Sequence, residues 1–288
     1  MSKFVKIANH TVPPLEKKVR LQDYPLGFFE SITTKSSLKK VIKKKMVYLN
    51  KKLATTADFI HGGELLELYK DDQSTKTTIN LDLKVIYEDD YLAFINKPAG
   101  ITVSGNKKWT LENALRSNLT PSTQKDALLH PEPIHRLDHP TSGVLLIGKT
   151  TAAVIELNQL FEKKEIKKSY FAVTINKQKK TGVINTPIDN KISTTHFEVK
   201  KSLISERFDF LNLVELKPKT GRKHQLRIHL SSIGNPILGD KEYAVSDKTL
   251  FGNGLYLHAF SLEFTHPFTK EIILQTADLP KKFTRLFN

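Results

Sequence analysis

Residues 133–143 form the most informative stretch of the chain. Their sequence is Pro133-Ile134-His135-Arg136-Leu137-Asp138-His139-Pro140-Thr141-Ser142-Gly143. The stretch places a carboxylate, a guanidinium, two imidazoles and two hydroxyls directly before the apolar segment 144–147. Because prolines and a glycine bound it, we predict a fixed loop leading into a buried strand rather than a helix. Such a loop is a candidate site for chemistry.

Two other interpretations of this region are less favourable on geometry. His135 and His139 have the i,i+4 spacing of a metal pair only on a helix, and Pro140 disfavours helical geometry at His139. No third ligand has suggestive spacing, so we predict no metal. The segment 148–150, Gly-Lys-Thr, resembles the end of a phosphate-binding loop. A strand would precede such a loop, whereas here the apolar segment lies inside it.

A second polar cluster follows a predicted strand and opens a predicted helix. It reads Thr220-Gly221-Arg222-Lys223-His224-Gln225-Leu226-Arg227-Ile228-His229. Apolar side chains alternate with Arg227 and His229, which predicts that Arg227 is partly buried. A buried arginine needs a partner, and Asp138 is the candidate.

Short apolar segments at 84–87, 92–95, 144–147, 170–175 and 210–216 predict strands. Helices are predicted at 151–164 and 224–233. This mixture indicates an α+β fold with a mixed, largely antiparallel central sheet and flanking helices.

The first 70 residues have a pattern of their own. Leu38, Val41, Ile42 and Met46 recur at helical spacing, and Ser36 or Ser37 could cap the helix. The opposite face is lysine-rich, comprising Lys39, Lys40, Lys43, Lys44 and Lys45. Strand-like segments follow at 46–49 and 64–68, and a polar linker at 71–80. A phosphate backbone along the lysine face would relieve its repulsion; a solvated helix face is the alternative.

Composition narrows the function classes. The chain has 288 residues, no cysteine, and 45 Lys+Arg against 30 Asp+Glu, a net charge of +15. A strongly basic chain favours polyanionic partners such as nucleic acid. The alternative is that the source genome is rich in lysine codons, which would raise the basic count without any such partner. Without cysteine, disulfides and thiol catalysis are excluded. No apolar run approaches the ~18–20 residues of a membrane span, and the first residues, 1–6, lack the long apolar stretch of a secretory signal. We expect a cytoplasmic protein without membrane contact.

The central stretch resembles the main motif of the RluA family of pseudouridine synthases. Further blocks agree in order: Glu88-Asp89-Asp90 with Asn96-Lys97-Pro98-Ala99-Gly100; Lys168-Ser169-Tyr170; the second polar cluster; Asn235-Pro236-Ile237-Leu238-Gly239-Asp240 with Tyr243; Leu257-His258-Ala259; and His266-Pro267. The N-terminal segment is similar to an S-four-type (alpha-L) RNA-binding domain, through Arg20-Leu21, Thr34-Lys35-Ser36-Ser37, Met46-Val47-Tyr48-Leu49-Asn50 and Gly63-Glu64. Lys35 replaces the usual arginine, and Glu64 replaces the usual aspartate.

The resemblance implies a small N-terminal α/β RNA-binding domain at 14–70, the linker at 71–80, and a catalytic domain at 81–288. It assigns Asp138 the catalytic carboxylate, either as nucleophile or as base, and a neighbouring guanidinium, Arg227, would favour its ionised form. Tyr170 would stack on the uracil. The RNA-binding set is Arg136, His135, Lys97, Arg222, Lys35, Lys39, Lys40, Lys43 and Lys44; for His135, Lys97 and Arg222, ordering or anchoring a loop is the alternative.

We therefore expect an RNA pseudouridine synthase that acts as a monomer and needs no cofactor or metal. Its expected substrate is large-subunit (23S) ribosomal RNA, with transfer RNA as the alternative. Two hypotheses from other classes stay open. One is a non-catalytic RNA-binding protein of ribosome assembly, which would not need Asp138. The other is a metal-dependent hydrolase that uses the histidines, which chelation would inactivate.

Overall fold

The structure, a computed structural model, describes residues 4–29, 32, 34–71, 78–244, 250 and 252–287. The chain divides into two compact units, Met1–Thr75 and Lys76–Asn288. Of the predicted linker 71–80, residues 72–77 lie outside the described part of the chain. Each unit has hydrophobic clusters of its own.

The first unit packs one helix against short strands. Its elements are β1 (Phe4–Thr11), β2 (Val19–Arg20), a 3₁₀ turn (Leu21–Asp23), α1 (Lys35–Lys43), β3 (Val47–Leu49), β4 (Lys52–Leu53), β5 (Phe59–Ile60) and β6 (Leu65–Asp71). The strands form an antiparallel sheet in the order β1-β6-β3-β4 and a small β2-β5 ribbon. Leu38 and Ile42 of α1 are buried in the core of this unit. The strands predicted at 46–49 and 64–68 correspond to β3 and β6, which pair with each other.

The start of α1 differs from the prediction. Thr34, rather than Ser36 or Ser37, is the N-cap. Its hydroxyl accepts a hydrogen bond from the Ser37 N–H at 3.1 Å, and the Ser37 hydroxyl accepts one from the Thr34 N–H at 3.1 Å. This reciprocal capping box satisfies two donors at the helix start. The helix ends at Lys43, so Met46 lies beyond it and not on its apolar face.

The second unit contains the remaining elements. They are β7 (Lys84–Glu88), β8 (Leu92–Lys97), α2 (Glu112–Asn118), β9 (Ala127–Pro133), β10 (Ser142–Thr150), α3 (Thr151–Glu162), β11 (Lys167–Ile175), β12 (Thr181–Ile184), β13 (Thr195–Ser205), β14 (Asp209–Pro218), α4 (Gln225–Ser232), β15 (Leu257–Thr265), β16 (Ile272–Thr276) and α5 (Lys281–Phe287). All the strands predicted in this unit are present, and α3 and α4 match the two predicted helices.

A ten-stranded sheet organises the second unit. Eight strands follow the order β12-β13-β14-β11-β15-β10-β8-β7, while β16 pairs with β15 and β9 with β10. Among the strand pairings of the described residues, β10 with β15 is parallel and the others are antiparallel. The predicted α+β fold with a mixed, largely antiparallel sheet is confirmed.

Both faces of the sheet centre are covered. Alternate residues of β8 and β10 enter two different clusters, because successive side chains of a strand point to opposite faces. Ile95 and Leu145 pack with Leu115 of α2, whereas Phe94 and Leu146 pack with Leu157 of α3. Strands buried on both faces have continuous apolar sequences, which is why the segments at 92–95 and 144–147 lack polar alternation.

Gly143 lets the central loop enter β10 beside β15. It pairs with Ala259 in the parallel register, and its φ is +117°. A Cβ atom at Gly143 would lie 2.0 Å from the Ala259 carbonyl oxygen. Only glycine allows the two backbones to approach so closely.

Candidate active site

The loop 134–141 connects β9 to β10 and carries Asp138. It is a loop, as predicted, and the Thr141 N–H closes a turn by donating to the Asp138 carbonyl oxygen at 3.0 Å. Leu137 is buried beneath it in the cluster that also contains α2. The backbone around Asp138 is therefore held from both sides of that residue.

Lys97, the last residue of β8, ties this loop to the sheet. Its Nζ atom donates to the carbonyl oxygens of Pro98 at 3.0 Å, His139 at 3.3 Å and Thr141 at 2.7 Å. The side chain is 0% exposed. Burial lowers the pKa of Lys97 to about 8, although the negative charge of Asp138 raises it. Of the two roles expected for Lys97, the enclosed ammonium group supports that of anchoring the loop rather than that of contacting RNA.

Asp138 faces two basic side chains that enter from α4. One carboxylate oxygen lies 3.7 Å from Nε2 of His224, and the other lies 3.7 Å from Nη1 of Arg227. Both distances are longer than a hydrogen bond, so the carboxylate lies close to the positive charge of Arg227 but is bonded to neither side chain. The Asp138 side chain is 28% exposed.

Arg227 has a stronger partner than the one predicted. It donates from Nε and Nη2 to the two carboxylate oxygens of Asp240, at 2.7 and 2.8 Å, in a bidentate pair. Glu242 accepts from Nη2 at 2.5 Å. Burial lowers the pKa of Arg227, but the two carboxylates outweigh it and the net shift is upward. Asp138 is thus a more distant third partner, and Asp240 fixes the guanidinium.

Tyr170 lies on β11, which pairs with β14 and β15. Its half-buried ring packs against the two largest apolar clusters of the second unit. Burial, and then the negative charge of Asp138, raise the pKa of Tyr170 to about 12. The phenol is therefore protonated at neutral pH, and it lies close enough to Asp138 for the two side chains to interact electrostatically.

Sequence reasoning gave no role to Glu242 and Tyr243, and quoted Asp240 only as part of a motif. His224 begins α4 with a left-handed backbone (φ 54°), and its Nδ1 lies 2.9 Å from the Tyr243 hydroxyl oxygen. The Arg227 guanidinium lies over the Tyr243 ring, 4.9 Å from its centroid. The sequence signal that could have found Asp240 is that a buried arginine needs a carboxylate partner. Both Asp138 and Asp240 could supply that carboxylate, and the sequence does not show which of them binds Arg227 more closely.

Comparisons with known proteins identify the family of the chain. A family model described as RNA pseudouridylate synthase matches residues 91–232. The chain is 32% identical over 304 residues to ribosomal large subunit pseudouridine synthase D of Nitrosomonas europaea, covering 96% of this chain and 86% of the relative. The chain belongs to the RluA family of RNA pseudouridine synthases.

Further relatives support the family and the fold. The synthase is 34% identical to ribosomal large subunit pseudouridine synthase D of Buchnera aphidicola, covering 86% of this chain and 87% of the relative. Among solved structures, human RNA pseudouridylate synthase domain containing 1 matches with a TM-score of 0.57 and 26% identity, covering 68% of this chain and 83% of that one. As a member of the family, the chain is an isomerase that converts uridine to pseudouridine in RNA.

The remaining predicted RNA contacts of the synthase fall into different places. Arg136, beside Asp138 on the central loop, and Arg222, before α4, are exposed. Arg222 donates from Nε to the Ile192 carbonyl oxygen at 3.2 Å, which steadies its stem. The five lysines, Lys35, Lys39, Lys40, Lys43 and Lys44, are exposed in the first unit, on α1 or directly after it.

His135 orders the loop of the synthase. Its Nε2 accepts a hydrogen bond from the Leu146 N–H at 3.1 Å, and its ring packs 4.9 Å from that of Phe161. Burial, and the positive charge of Lys168, lower the pKa of His135 to about 3. A neutral imidazole bonded to the backbone does not provide a phosphate contact, so the expectation that His135 binds RNA is not supported.

The described residues also bear on two other possibilities, metal binding and membrane crossing. No group of three or more His, Asp and Glu side chains in the described part of the synthase is arranged to hold a metal ion. Across those same residues, no helix has the length and apolar character needed to cross a membrane.

Proposed function

We propose that this synthase isomerises uridines of large-subunit ribosomal RNA, with Asp138 as its catalytic carboxylate. Relatives named for the large ribosomal subunit align along 86% to 96% of the chain, so they include the first unit as well as the second. Their names support the same RNA as the substrate here. The observation that supports the catalytic assignment is the partly exposed Asp138 carboxylate, which lies 3.7 Å from both Arg227 and His224 and, after burial, contributes to the raised pKa of Tyr170.

The isomerisation needs no redox partner. The bond between uracil N1 and the ribose anomeric carbon breaks, the uracil turns, and its carbon 5 joins the anomeric carbon. Carbon 5 then loses a proton and N1 gains one, so atoms and electrons balance. Asp138 acts at the ribose, either by attacking the anomeric carbon or by removing a sugar proton. Both roles use a carboxylate that is free to move towards the sugar, and its 3.7 Å contacts leave it free.

Tyr170 and Arg227 complete the catalytic set. Tyr170 stacks on the uracil with its ring, and its protonated phenol serves as a proton donor. Arg227 balances the negative charge of Asp138 while Asp240 and Glu242 hold it in place. The target base must leave its stack to reach Asp138, which costs stacking energy. Arg136, two residues before Asp138, and Arg222, five residues before Arg227, are exposed, and we assign them to holding the rearranged RNA backbone.

The first unit serves as an RNA-binding domain of the S-four type. We assign residues 14–70 to it, with β1 (Phe4–Thr11) added because it pairs with β6, then 71–80 to a linker and 81–288 to the catalytic domain. Glu64 supports the resemblance, because its buried carboxylate accepts from the N–H groups of His61 at 3.0 Å and Gly62 at 2.8 Å and so shapes the Gly62-Gly63 turn. The exposed α1 lysines supply the phosphate contacts. The protein works as a monomer in the cytoplasm.

The experiment compares RNA pools. Unmodified large-subunit ribosomal RNA, small-subunit ribosomal RNA and transfer RNA, each with tritium at carbon 5 of uridine, are incubated with the purified protein. We expect tritium release from the large-subunit RNA alone. Release from transfer RNA alone would overturn the proposed substrate while leaving the isomerase chemistry. No release from any pool, despite RNA binding, would favour a non-catalytic role in ribosome assembly.

A further inference from the structure

An exposed tryptophan stands beside the central loop. Trp109 is the single tryptophan of the chain, and it is 60% exposed. It lines a groove of about 530 Å³ together with Leu81, Ile101, Thr102, Lys107 and His139. A volume of this order is typical of small-ligand sites. A large aromatic ring left in water at such a groove is a candidate contact surface.

The groove is continuous with the catalytic loop. His139, one of its lining residues, directly follows Asp138. The His139 carbonyl oxygen accepts from the Gly100 N–H at 2.8 Å and from Lys97 Nζ at 3.3 Å. The segment 98–102 that forms the floor is thereby joined to the loop that carries Asp138. A ligand in the groove would therefore lie beside the loop that carries Asp138.

The backbone that carries Trp109 is held in place. The Asn113 side-chain amide, from α2, donates to the carbonyl oxygens of Lys107 at 3.4 Å and Lys108 at 2.8 Å. On the far side of Trp109, the Leu111 N–H donates to the Thr102 carbonyl oxygen at 2.9 Å. The indole is therefore presented from an ordered turn, which reduces the entropy lost when a ligand stacks on it.

We propose that Trp109 is a stacking platform for an unpaired nucleobase of the substrate RNA adjacent to the target uridine. Stacking on an aromatic face, with cations on the neighbouring phosphates, is how proteins bind single-stranded RNA with little sequence preference. Lys107 and Lys108 are exposed beside the indole and supply those cations. Extrusion of the target uridine unstacks its neighbours, and the platform takes up one of the freed bases. This inference rests on RNA being the substrate of the family, and not on which RNA is modified.

Intrinsic fluorescence tests the contact directly, since Trp109 is the sole indole. The wild-type protein is titrated with a single-stranded mixed-sequence oligoribonucleotide, and separately with inorganic polyphosphate of equal charge. We expect saturable quenching by the oligoribonucleotide and none by polyphosphate, because only the former has bases to stack. Equal quenching by both anions, or none by RNA that filter binding shows to be bound, would overturn the proposal.

Steady-state kinetics separate stacking from a structural role. On whichever RNA pool releases tritium, Trp109→Ala should raise KM roughly 5- to 100-fold, with kcat close to that of wild type. Trp109→Phe should recover most of the loss and Trp109→Leu little of it, because stacking needs a flat aromatic face. Ile204→Ala, at an exposed position on β13, is the matched control and should leave KM unchanged. Equal rescue by Phe and Leu, or a fall in kcat alone, would contradict a base-stacking site.

Discussion

At the scale of single residues, the carboxylate that fixes Arg227 is a different one from the carboxylate of Asp138. Asp240 takes two of the donors of Arg227 in a buried bidentate pair, so the guanidinium is fixed without any bond to Asp138. Asp138 therefore has the positive charge of Arg227 close by while both of its carboxylate oxygens stay unbonded to it. This freedom suits the catalytic role that we propose for Asp138, since a direct bidentate pair with Arg227 would immobilise the carboxylate.

The Arg227–Asp240 pair can be tested by a double-mutant cycle. Arg227→Gln should cost about 3–5 kcal/mol of unfolding free energy, because it leaves the Asp240 carboxylate buried without its cation. Adding Asp240→Asn should recover a large part of that stability, since two amides can bond to each other. Activity should stay lost in both variants, as Asp138 then lacks its guanidinium. Denaturant unfolding and tritium release measure the two effects; strictly additive stability losses would refute the pairing.

Lys97 predicts a dependence of stability on pH. Its pKa is about 8 in the folded protein and ~10.4 in the unfolded chain, so between these values the unfolded state binds more protons. Folding stability contributed by this site therefore rises as pH increases from about 8 to about 10.4, by up to about 3 kcal/mol. Urea unfolding should show the stability difference between wild type and Lys97→Met moving in favour of wild type over this interval. A difference that is flat or falls with pH would contradict the buried ammonium.

These residues also mark what a sequence can disclose about a site. The sequence predicted three site residues, because each lies in a motif and the motifs follow the order found in the family. The residues are Asp138, Tyr170 and Arg227, and the structure brings them close together. For Lys97 the sequence left two roles open, a phosphate contact and an anchor of the loop, and could not decide between them. Its three carbonyl partners come partly from residues more than forty positions away.

At the scale of elements, α1 combines a well-formed start with a repulsive surface. The Thr34–Ser37 capping box and the buried Leu38 and Ile42 stabilise the helix, and these terms offset the repulsion between Lys39 and Lys43 and between Lys40 and Lys44. A helix that retains such a charge pattern is suited to lie on a polyanion.

Replacing Lys39, Lys40, Lys43 and Lys44 by Gln should therefore weaken RNA binding and flatten its dependence on salt. Each lost phosphate contact reduces the slope of log K against log salt by roughly 0.7–0.9. A control protein with Gln at the exposed Lys163, Lys164, Lys177 and Lys179 loses the same net charge and should change the slope less. Filter binding over a series of salt concentrations gives both slopes; equal slopes for the two proteins would mean that α1 faces solvent.

Strands with a regular pattern of apolar residues could be predicted from the sequence, whereas strands with an irregular pattern could not. The strands β8 and β10 are apolar throughout because helices cover both of their faces. In β13, only the first residues alternate between buried and exposed, and residues 200–204 are all exposed, so no strand period is visible in that half. In β15, the buried His258 interrupts the apolar run. Its Nε2 donates to the Ala277 carbonyl oxygen at 3.2 Å, and in the neutral ring its Nδ1 accepts from the Ser142 hydroxyl at 2.8 Å.

At the scale of the whole molecule, stability is divided between two units. The cluster around Leu38, Ile60 and Leu66 consists of residues before the boundary at Thr75, and the three other clusters consist of residues after it. Since each unit buries its own apolar side chains, each has the means to fold without the other. The division also separates the α1 lysines from Asp138 along the chain.

Deletion of Met1–Thr75 should leave a folded catalytic unit. We expect kcat near that of the whole chain, because Asp138, Tyr170 and Arg227 all remain, together with a raised KM and a weaker salt dependence. Thermal unfolding and tritium-release kinetics measure these effects. An unchanged KM would remove the first unit from RNA binding, and a truncated protein that fails to fold would show that the two cores depend on each other.

The most direct measurement compares wild type with Asp138→Asn in tritium release from RNA labelled at carbon 5 of uridine. The substitution keeps the shape of the side chain and removes its charge. We predict that release falls roughly 10⁴-fold or more, while RNA affinity and the melting temperature stay close to those of wild type. Release by Asp138→Asn at a rate comparable to that of wild type would contradict the assignment of Asp138 as the catalytic carboxylate.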